Sequence, residues 1–579
     1  MSEVVFMPLD GLTVNVLTKE LERALKNSRV LKIYQPEEAT ITLQLRLPGE
    51  TRILLISADA VHPRIHTLDQ QPNNPLNPPA FCMLLRKYLE PSRLLKIQQQ
   101  GFDRIVHLHF EAMDEFGKLT ELVLIFELMG RQSNLYLINQ ERVIIDALKR
   151  FPDRGIAPGE SYVAPSDQGK LNPTDITAEQ FVDEIRLLPA STTLWRWIAD
   201  SFQGFSKVAA QEVVQRAGFL PQITRADLEP TDWNNLQLAF FDLLTEIAQG
   251  GTPAHYPERR GDFTAYNLTG SIAERFPSVD SLVGTILNAR QSETQLETLK
   301  SSLRRRLDKH YKRIAKKEAI HQLALQEAEH ADLYRHQGEL LTANFHLIPS
   351  SADSIQVPDY TQEGMPLVTI ELDPSLSPSN NVKRIFKRYT KAKARSVHAK
   401  EQLEKTVVEL NYLENIFLQI ELAEDIQVLK EIEAELEKAG YLKPKAKRKS
   451  AKTSAPLGPQ RYLSSDGLSI LVGRNNRQND ELTFRLAGPN HLWLHARNIA
   501  GSHVAILAEG EVPHDTLLQA AQLAAYFSEH RSSPKVAVDY TLRKHVRKPK
   551  GAQPGFVHYD HAKTIFVNPT EFELPPQKE

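Results

Sequence analysis

Two stretches whose apolar residues step by three or four, each longer than an ordinary globular helix, constrain this chain most. In the first, about 286 to 338, Leu296, Leu299, Leu303, Leu307, Tyr311 and Ile314 keep the step. In the second, about 381 to 439, Leu403, Val407, Leu410, Leu413, Phe417 and Ile420 keep it again. Such a seam suits coiled-coil strands. Two arms in one chain must return on each other, which predicts a long antiparallel coiled-coil hairpin over 286–440. At a rise of 1.5 Å per residue, each arm reaches on the order of 75 Å. Residues 339–380 between the arms are rich in Pro and Ser, with a strand-like Leu367 to Leu372, and predict a small insert at the tip.

The remainder predicts a multidomain α+β protein. Residues 1–170 form an N-terminal α/β domain in this reading. Leu12, Val16, Leu17, Leu21 and Leu25 recur at helical spacing behind Asp10, a capping residue. Runs at Ala39 to Leu47 and Arg52 to Ser57 flank Pro48-Gly49, a hairpin signal. Pro78-Pro79 introduces a helix at Phe81 to Leu89, and strand-like runs follow at Ile105 to Phe110, Leu119 to Met129 and Leu135 to Ile138. From 175 to 285 the pattern is helical. Gly204-Phe205-Ser206-Lys207, leading to Gly218, predicts a helix-hairpin-helix element of the kind that turns backbone N–H groups toward phosphate; a plain helical connector fits as well. A Pro/Lys/Ser linker, Lys443 to Pro459, leads to a C-terminal α/β domain at 460–579.

Net charge is −2 over 579 residues, yet the charge is segregated. Nine Lys/Arg fall between Lys300 and Lys317, and eight between Lys383 and Lys400 with no acid among them. Six more lie from Lys443 to Lys452, and Arg543, Lys544, Arg547, Lys548 and Lys550 make a fourth group. If the arms pair, seventeen like charges converge near the tip, a repulsion that a polyanion would relieve. The single cysteine, Cys82, excludes an intrachain disulfide framework and a Cys-rich zinc site and fits a reducing, cytoplasmic setting. Neither a secretory leader nor a membrane-length apolar run is visible in the sequence. His495 and His503 lack a third ligand at metal-site spacing, so no metal or cofactor is expected.

Four segments carry a resemblance: GFDRIVHLHF with Asp103-Arg104; ELMGRQSNLYL with Glu127, Leu128, Met129 and Arg131; LDPSLSPSNNVKRIFKRYTKAK at Leu372 to Lys393; and HLWLHARNIAGSHV at His491 to Val504. In this order, around a coiled-coil hairpin, they resemble the NFACT family over nearly the whole length, in particular its RqcH-like bacterial branch, some members of which were once labelled fibronectin-binding. The resemblance implies an NFACT-N domain, a helix-hairpin-helix region, a coiled coil and an NFACT-R domain. It also implies ribosome-associated quality control: binding to large ribosomal subunits that retain a peptidyl-tRNA, and recruitment of tRNA for untemplated C-terminal tailing with alanine. The ribosome would make the peptide bond, so the chain would not itself be an enzyme. A small RNA-binding quality-control partner fits this role; a membrane does not.

By the resemblance, Asp103, Arg104, Glu127, Leu128, Met129 and Arg131 face tRNA. A carboxylate suits the N–H groups of unpaired bases and a guanidinium suits phosphate or a base face. A local salt bridge would explain the same Asp-Arg pair. Period two puts Glu127, Met129 and Arg131 on an outward face, opposite Leu124, Phe126 and Leu128. Ribosomal RNA is expected at Lys383, Arg384, Lys387, Arg388 and Lys391, at Arg497, Ser502 and His503, and at Arg543, Lys544, Arg547 and Lys548, with Trp493 in the core. Two rival functions are a nucleic-acid-binding protein related to DNA glycosylases and a fibronectin-binding surface adhesin. The first lacks an N-terminal proline amine and a four-cysteine finger, since the chain starts Met1-Ser2-Glu3. For the second, no export signal is visible.

Overall fold

Asp10 accepts a hydrogen bond from the backbone N–H of Thr13 at 2.8 Å, and α1 (Gly11–Leu25) starts there in this computed structural model. The structure describes residues 9–113, 116–151, 157–166, 169–259, 261–444 and 457–569. They fall into two compact units, one ending at Thr294 and the other beginning at Gln295.

In the first unit, α1 is followed by β1 (Arg29–Glu37), β2 (Thr40–Arg46), β3 (Thr51–Ser57), β4 (Arg64–Leu68), α2 (Ala80–Leu89), β5 (Arg93–Gln99), β6 (Ile105–Met113), β7 (Leu119–Glu127), β8 (Asn134–Ile138) and β9 (Ile144–Ala147). The strands make one antiparallel sheet in the order β4-β3-β2-β1-β5-β6-β7-β8-β9. Gly49, at φ +85°, turns the expected β2–β3 hairpin. Strand alternation explains the unbroken apolar run in β7. Leu122, Leu124 and Phe126 join the core under α1 and α2, while Val123 and Ile125 join Ile105, Tyr136 and Tyr162 on the other face. The sequence pattern missed β1, β4, β5 and β9, whose apolar residues are interrupted by polar ones.

Four helices follow: α3 (Ala178–Leu187), α4 (Leu194–Ser201), α5 (Lys207–Arg216) and α6 (Pro230–Ala248). Phe181, Trp197, Phe202, Phe205 and Phe240 hold them together, with ring centroids 4.6 to 6.3 Å apart along the cluster. A small sheet of β10 (Ala254–Tyr256), β11 (Asp262–Thr264) and β12 (Glu274–Arg275) interrupts the all-helical pattern expected for 175–285. Next, α7 (Val279–Glu329) begins where Glu20 accepts from the N–H groups of Val279 and Asp280 at 3.0 and 2.9 Å.

In the second unit, the rest of α7 is followed by α8 (Ala331–Ala343), the paired β13 (Ser354–Pro358) and β14 (Leu367–Glu371), α9 (Pro378–Leu422) and α10 (Ile426–Lys438). Leu303, Leu307 and Ile314 of α7 share one apolar cluster with Leu410, Leu413, Ile416 and Ile420 of α9 and with Leu429 and Ile432 of α10. The insert starts after Ala343, later than the expected 339, because Leu340 and Leu341 are buried with Ile385 and keep α8 helical. Most of the expected linker, 445–456, lies outside the described residues.

The C-terminal domain has β15 (Gln460–Leu463), β16 (Ser469–Val472), α11 (Asn476–Glu481), β17 (Leu492–Ala496), β18 (Val504–Leu507), α12 (His514–Tyr526), β19 (Val536–Leu542), β20 (Val546–Arg547), β21 (His558–Tyr559) and β22 (Lys563–Val567). Six of these strands form an antiparallel sheet, β15-β16-β18-β17-β19-β22. Ala520, Ala521 and Ala524 of α12 seat that helix on it. Among the described residues, no helix is long and apolar enough to cross a membrane.

Candidate nucleic-acid interface

In the first unit the N-termini of α1 and α5 meet the loop that precedes β6. Gly11 N–H donates to the Gly204 carbonyl at 3.0 Å. A Cβ on Gly11 would lie 1.9 Å from the Phe102 carbonyl oxygen and 2.4 Å from Gly204 Cα, so only glycine permits this approach. Asp10 also accepts from the hydroxyls of Ser206 at 3.1 Å and Tyr266 at 2.6 Å. Burial first, and then the Asp10 charge, push the Tyr266 phenol well above its ordinary range. Gln99 ties the loop to the helix by donating to the carbonyls of Gly11 and Asp103 at 2.9 and 2.8 Å.

Gly101, at φ +55°, turns this loop so that Asp103 and Arg104 precede the strand and line the same cleft, about 380 Å³ in volume. Asp103 Oδ1 accepts from the Arg104 N–H at 2.7 Å, which sets the carboxylate, and no ion pair joins the two side chains among the described residues. Arg104 keeps a half-buried guanidinium with no partner there. Met129, Gln132, Lys170, Gln203 and Ser206 also line the cleft. Lys170 donates to the Ala199 carbonyl at 2.8 Å. Gln132, Lys170 and Gln203 carry no local signal in the sequence.

The expected outward face of Glu127 is corrected by the structure. β7 ends at Glu127, and a 3-10 turn at Gly130–Gln132 breaks the period of two. The face shared by Ile125 and Glu127 is covered by Tyr136 and Tyr162, so Glu127 is fully buried. Its carboxylate accepts from the Tyr162 hydroxyl at 2.9 Å and the Tyr136 hydroxyl at 3.2 Å. Burial, then the Glu127 charge, raise the Tyr162 phenol. Leu128 is buried in the core, as its parity indicated, and Arg131 is exposed on the turn. Of the six residues, Asp103, Arg104 and Met129 share the cleft.

The second unit separates the two large basic groups that the hairpin argument brought together. Tyr311 donates to Glu414 at 3.0 Å, and Lys300 to the Glu421 carbonyl at 3.0 Å. Gly338 packs against the Phe386 ring. Residues equally distant from the turn face each other, so Lys300 to Lys317 lie opposite the acidic end of α9. The centres of the two groups are on the order of 40 Å apart at 1.5 Å per residue. Arg304 and Arg306 pair with Glu421 and Glu433 at 3.7 and 2.8 Å. The other group keeps its charge: Lys383, Lys387, Arg388 and Lys391 are exposed, while Arg384 binds the Glu371 carbonyl at 3.2 Å and Asp373 at 3.7 Å.

In the C-terminal domain Trp493 is fully buried. Ser502 and His503, expected at the surface, are buried as well. His503 Nδ1 lies 2.8 Å from the Thr483 hydroxyl, which also accepts from the Trp493 indole at 3.2 Å. Burial, then neighbouring His495, push the His503 imidazole down to about 3, so it is neutral at physiological pH. Arg543 is a staple, donating to the Thr483 carbonyl at 2.8 Å. Lys548 pairs with Asp480, and Arg547 with Asp560 at 3.5 Å. Arg497, though exposed, pairs with Asp539 at 3.9 Å, and Lys544 is exposed. No cluster of three or more His, Cys, Asp or Glu able to hold a metal ion occurs among the described residues.

Among the described residues, the cleft of this α+β protein holds an unpaired guanidinium, and exposed basic side chains lie on helix and loop surfaces of the second unit. Family comparison makes this specific. Residues 10–455 match the model for NFACT N-terminal and middle domains, and residues 459–559 match the NFACT protein RNA binding domain. The chain belongs to the NFACT family. It is 34% identical over 576 residues to "Rqc2 homolog RqcH" of Bacillus subtilis, covering 97% of this chain and 98% of that one. It is also 34% identical to the protein of the same name from Streptococcus suis, covering 99% of this chain and 100% of the other. A solved structure, the C-terminal part of the fibronectin/fibrinogen-binding protein from Streptococcus suis, is 34% identical and covers 48% of this chain and 96% of its own, with a TM-score of 0.38.

Proposed function

We propose that this protein acts in ribosome-associated quality control in the cytoplasm. It binds large ribosomal subunits obstructed by peptidyl-tRNA and recruits tRNA, of the alanyl class, for untemplated C-terminal tailing that marks the nascent chain for degradation. It works as a positioning factor, and the ribosome supplies the chemistry. The observation that carries this reading is the joint placement of Asp103, Arg104 and Met129 on one cleft. The Arg104 guanidinium, unpaired among the described residues, suits a phosphate or base face, and Asp103 suits base N–H groups. Arg131 stands exposed on the adjoining turn, while Glu127 and Leu128 contribute by shaping that turn from within. The antiparallel contacts of α7 and α9 support a coiled-coil hairpin, whose exposed Lys383, Lys387, Arg388 and Lys391 bind ribosomal RNA. Arg497 and Lys544 add to this from the C-terminal domain, and a small RNA-binding protein partner fits the same assembly.

Co-sedimentation with large subunits over a salt series, with sequencing of RNA crosslinked to the protein, tests the proposal. Asp103→Ala with Arg104→Ala should lose tRNA crosslinks and keep subunit binding. Neutralising Lys383, Lys387, Arg388 and Lys391 together should weaken subunit binding and reduce the log–log salt slope by about three. Absence of both tRNA and ribosomal RNA from the crosslinked pool at low ionic strength would refute the reading.

A further inference from the structure

A second cleft, about 490 Å³, opens in the second unit between α9 and the C-terminal sheet, and none of the expected RNA contacts accounts for its shape. Its walls are preformed. The Gly501 N–H donates to Asn415 Oδ1 at 3.1 Å, which fastens the Asn498–Ala500 turn to α9. Asn498 holds a left-handed φ of +55° in that turn. On the opposite side, Gly555 has φ +78°, and its N–H donates to Asp480 at 3.0 Å. A Cβ there would sit 2.5 Å from Asn476 Oδ1, so the chain can pass only as glycine before it forms the wall that carries Phe556.

The floor is aromatic and uncharged. His495 stacks on Trp493 at 5.8 Å and 11°, and His503 meets His495 edge-on at 5.5 Å. Burial pushes both imidazoles below their ordinary range, so neither carries a proton near neutrality. Besides the histidines and Tyr559, the polar side chains that line the cleft are the carboxylates of Glu414 and Glu529 and the amides of Asn411, Asn415 and Asn498. Glu414 accepts from Tyr311 at 3.0 Å. Glu529 is exposed, and its carboxylate has no hydrogen-bond or ion-pair partner among the described residues. Phe556 supplies a partly exposed ring, 5.2 Å from His558.

Two carboxylates disfavour a phosphate inside the cleft, and the neutral aromatic floor favours a planar ring with N–H donors on its edge. Guanine is the base whose pairing edge presents two adjacent N–H donors to one carboxylate. An arginine side chain from a protein has similar donors. Exposed Lys544 and Lys550, on the loop that leads into one wall, attract a polyanion and repel a basic peptide. We infer that this cleft receives one unstacked guanine base of a bound RNA, with its edge on the Glu529 carboxylate and its face against Phe556. The inference rests on the RNA-binding reading given above.

Fluorescence anisotropy of the full-length protein with labelled oligouridylates tests it, each oligomer carrying one central guanosine, inosine or adenosine. The parent should bind the guanosine oligomer about ten- to a hundredfold more tightly than the adenosine one, the discrimination expected of a two-bond base contact. Inosine, which lacks the exocyclic amine, should fall between them. Glu529→Gln and Phe556→Ala should abolish the preference, whereas Lys544→Ala with Lys550→Ala should weaken all three oligomers equally. Glu529 is exposed, so its variant should melt with the parent. Equal binding of all three oligomers, or a preference that survives Glu529→Gln, overturns the guanine site and leaves RNA binding intact. Displacement of the guanosine oligomer by an arginine-bearing peptide, lost in Glu529→Gln, overturns it in favour of a protein ligand. Failure of every oligomer to bind at low ionic strength removes the RNA-binding reading together with it.

Discussion

Replacing Tyr162 with Phe separates two roles that Glu127 could have. The Glu127 carboxylate is fully buried and accepts from two phenols, with Tyr162 the nearer at 2.9 Å. Removing one donor from a buried charged acceptor costs about 1.5–3 kcal/mol. At about 2–4 °C per kcal/mol for a unit of this size, Tyr162→Phe should melt about 3–12 °C below the parent. Glu127→Ala should fall further, since it leaves a void and removes the acceptor of both hydroxyls. Glu127→Gln should fall least, because it keeps the volume and one acceptor oxygen, and its amide can meet a phenol oxygen. Scanning calorimetry gives the melting temperatures, and filter retention of labelled tRNA gives binding. If Glu127 shapes the Met129–Gln132 turn from within, Glu127→Gln keeps most tRNA binding while Asp103→Asn loses it. If Glu127 touched nucleotides directly, Glu127→Gln would lose binding with its stability unchanged. That outcome, or a Tyr162→Phe protein melting within about 1 °C of the parent, refutes the internal role.

Three further outcomes are expected. Gly11→Ala should destabilise by about 1–3 kcal/mol or more and weaken tRNA binding, because backbone atoms at 1.9 and 2.4 Å cannot swing aside. Gly458→Ala, with nothing within 4 Å, should be silent in the same denaturation assay. Arg543→Ala should cost the C-terminal domain about 1–2 kcal/mol by leaving the Thr483 carbonyl without its 2.8 Å donor, whereas Lys544→Ala should stay within about 0.5 kcal/mol in urea titration. His503, held down to about 3, binds its proton in the unfolded chain first. Its contribution is therefore complete above about pH 6.5 and is lost toward acid at about 1.4 kcal/mol per pH unit. Thermal unfolding of the parent and His503→Gln across that window should show a flatter pH dependence in the variant.

Elements with a strong local signal are legible in the sequence. Asp10 caps α1, Gly49 turns the β2–β3 hairpin, and the apolar steps of α7 and α9 do share a buried cluster. Long-range placement was not legible. Period two gave the correct side for Leu128 and the wrong environment for Glu127, because a sheet face is wet or dry according to what lies over it. Here Tyr162, thirty-five residues downstream, lies over it. The two basic groups fail to converge because they stand at unequal distances from the turn. Lys317 lies 26 residues before the end of α8 at Ala343, whereas Lys383 lies five after the start of α9 at Pro378. Lys170 and Gln203 line the cleft only because α4 and the segment before α3 pack there, and neither residue stands in a recognisable pattern.

The sequence by itself determined the helical and strand periods, the caps, the positive groups and the four segments that mark the family, since these depend on neighbours within a few residues. The tertiary structure alone decided which charges remain free. Among the described residues, Arg104, Lys387 and Lys544 have no partner, while Arg306 and Lys548 are paired with carboxylates that the fold brings from distant positions. A charge is available to RNA only when no internal group has already neutralised it, and that depends on three-dimensional proximity, which no local pattern encodes.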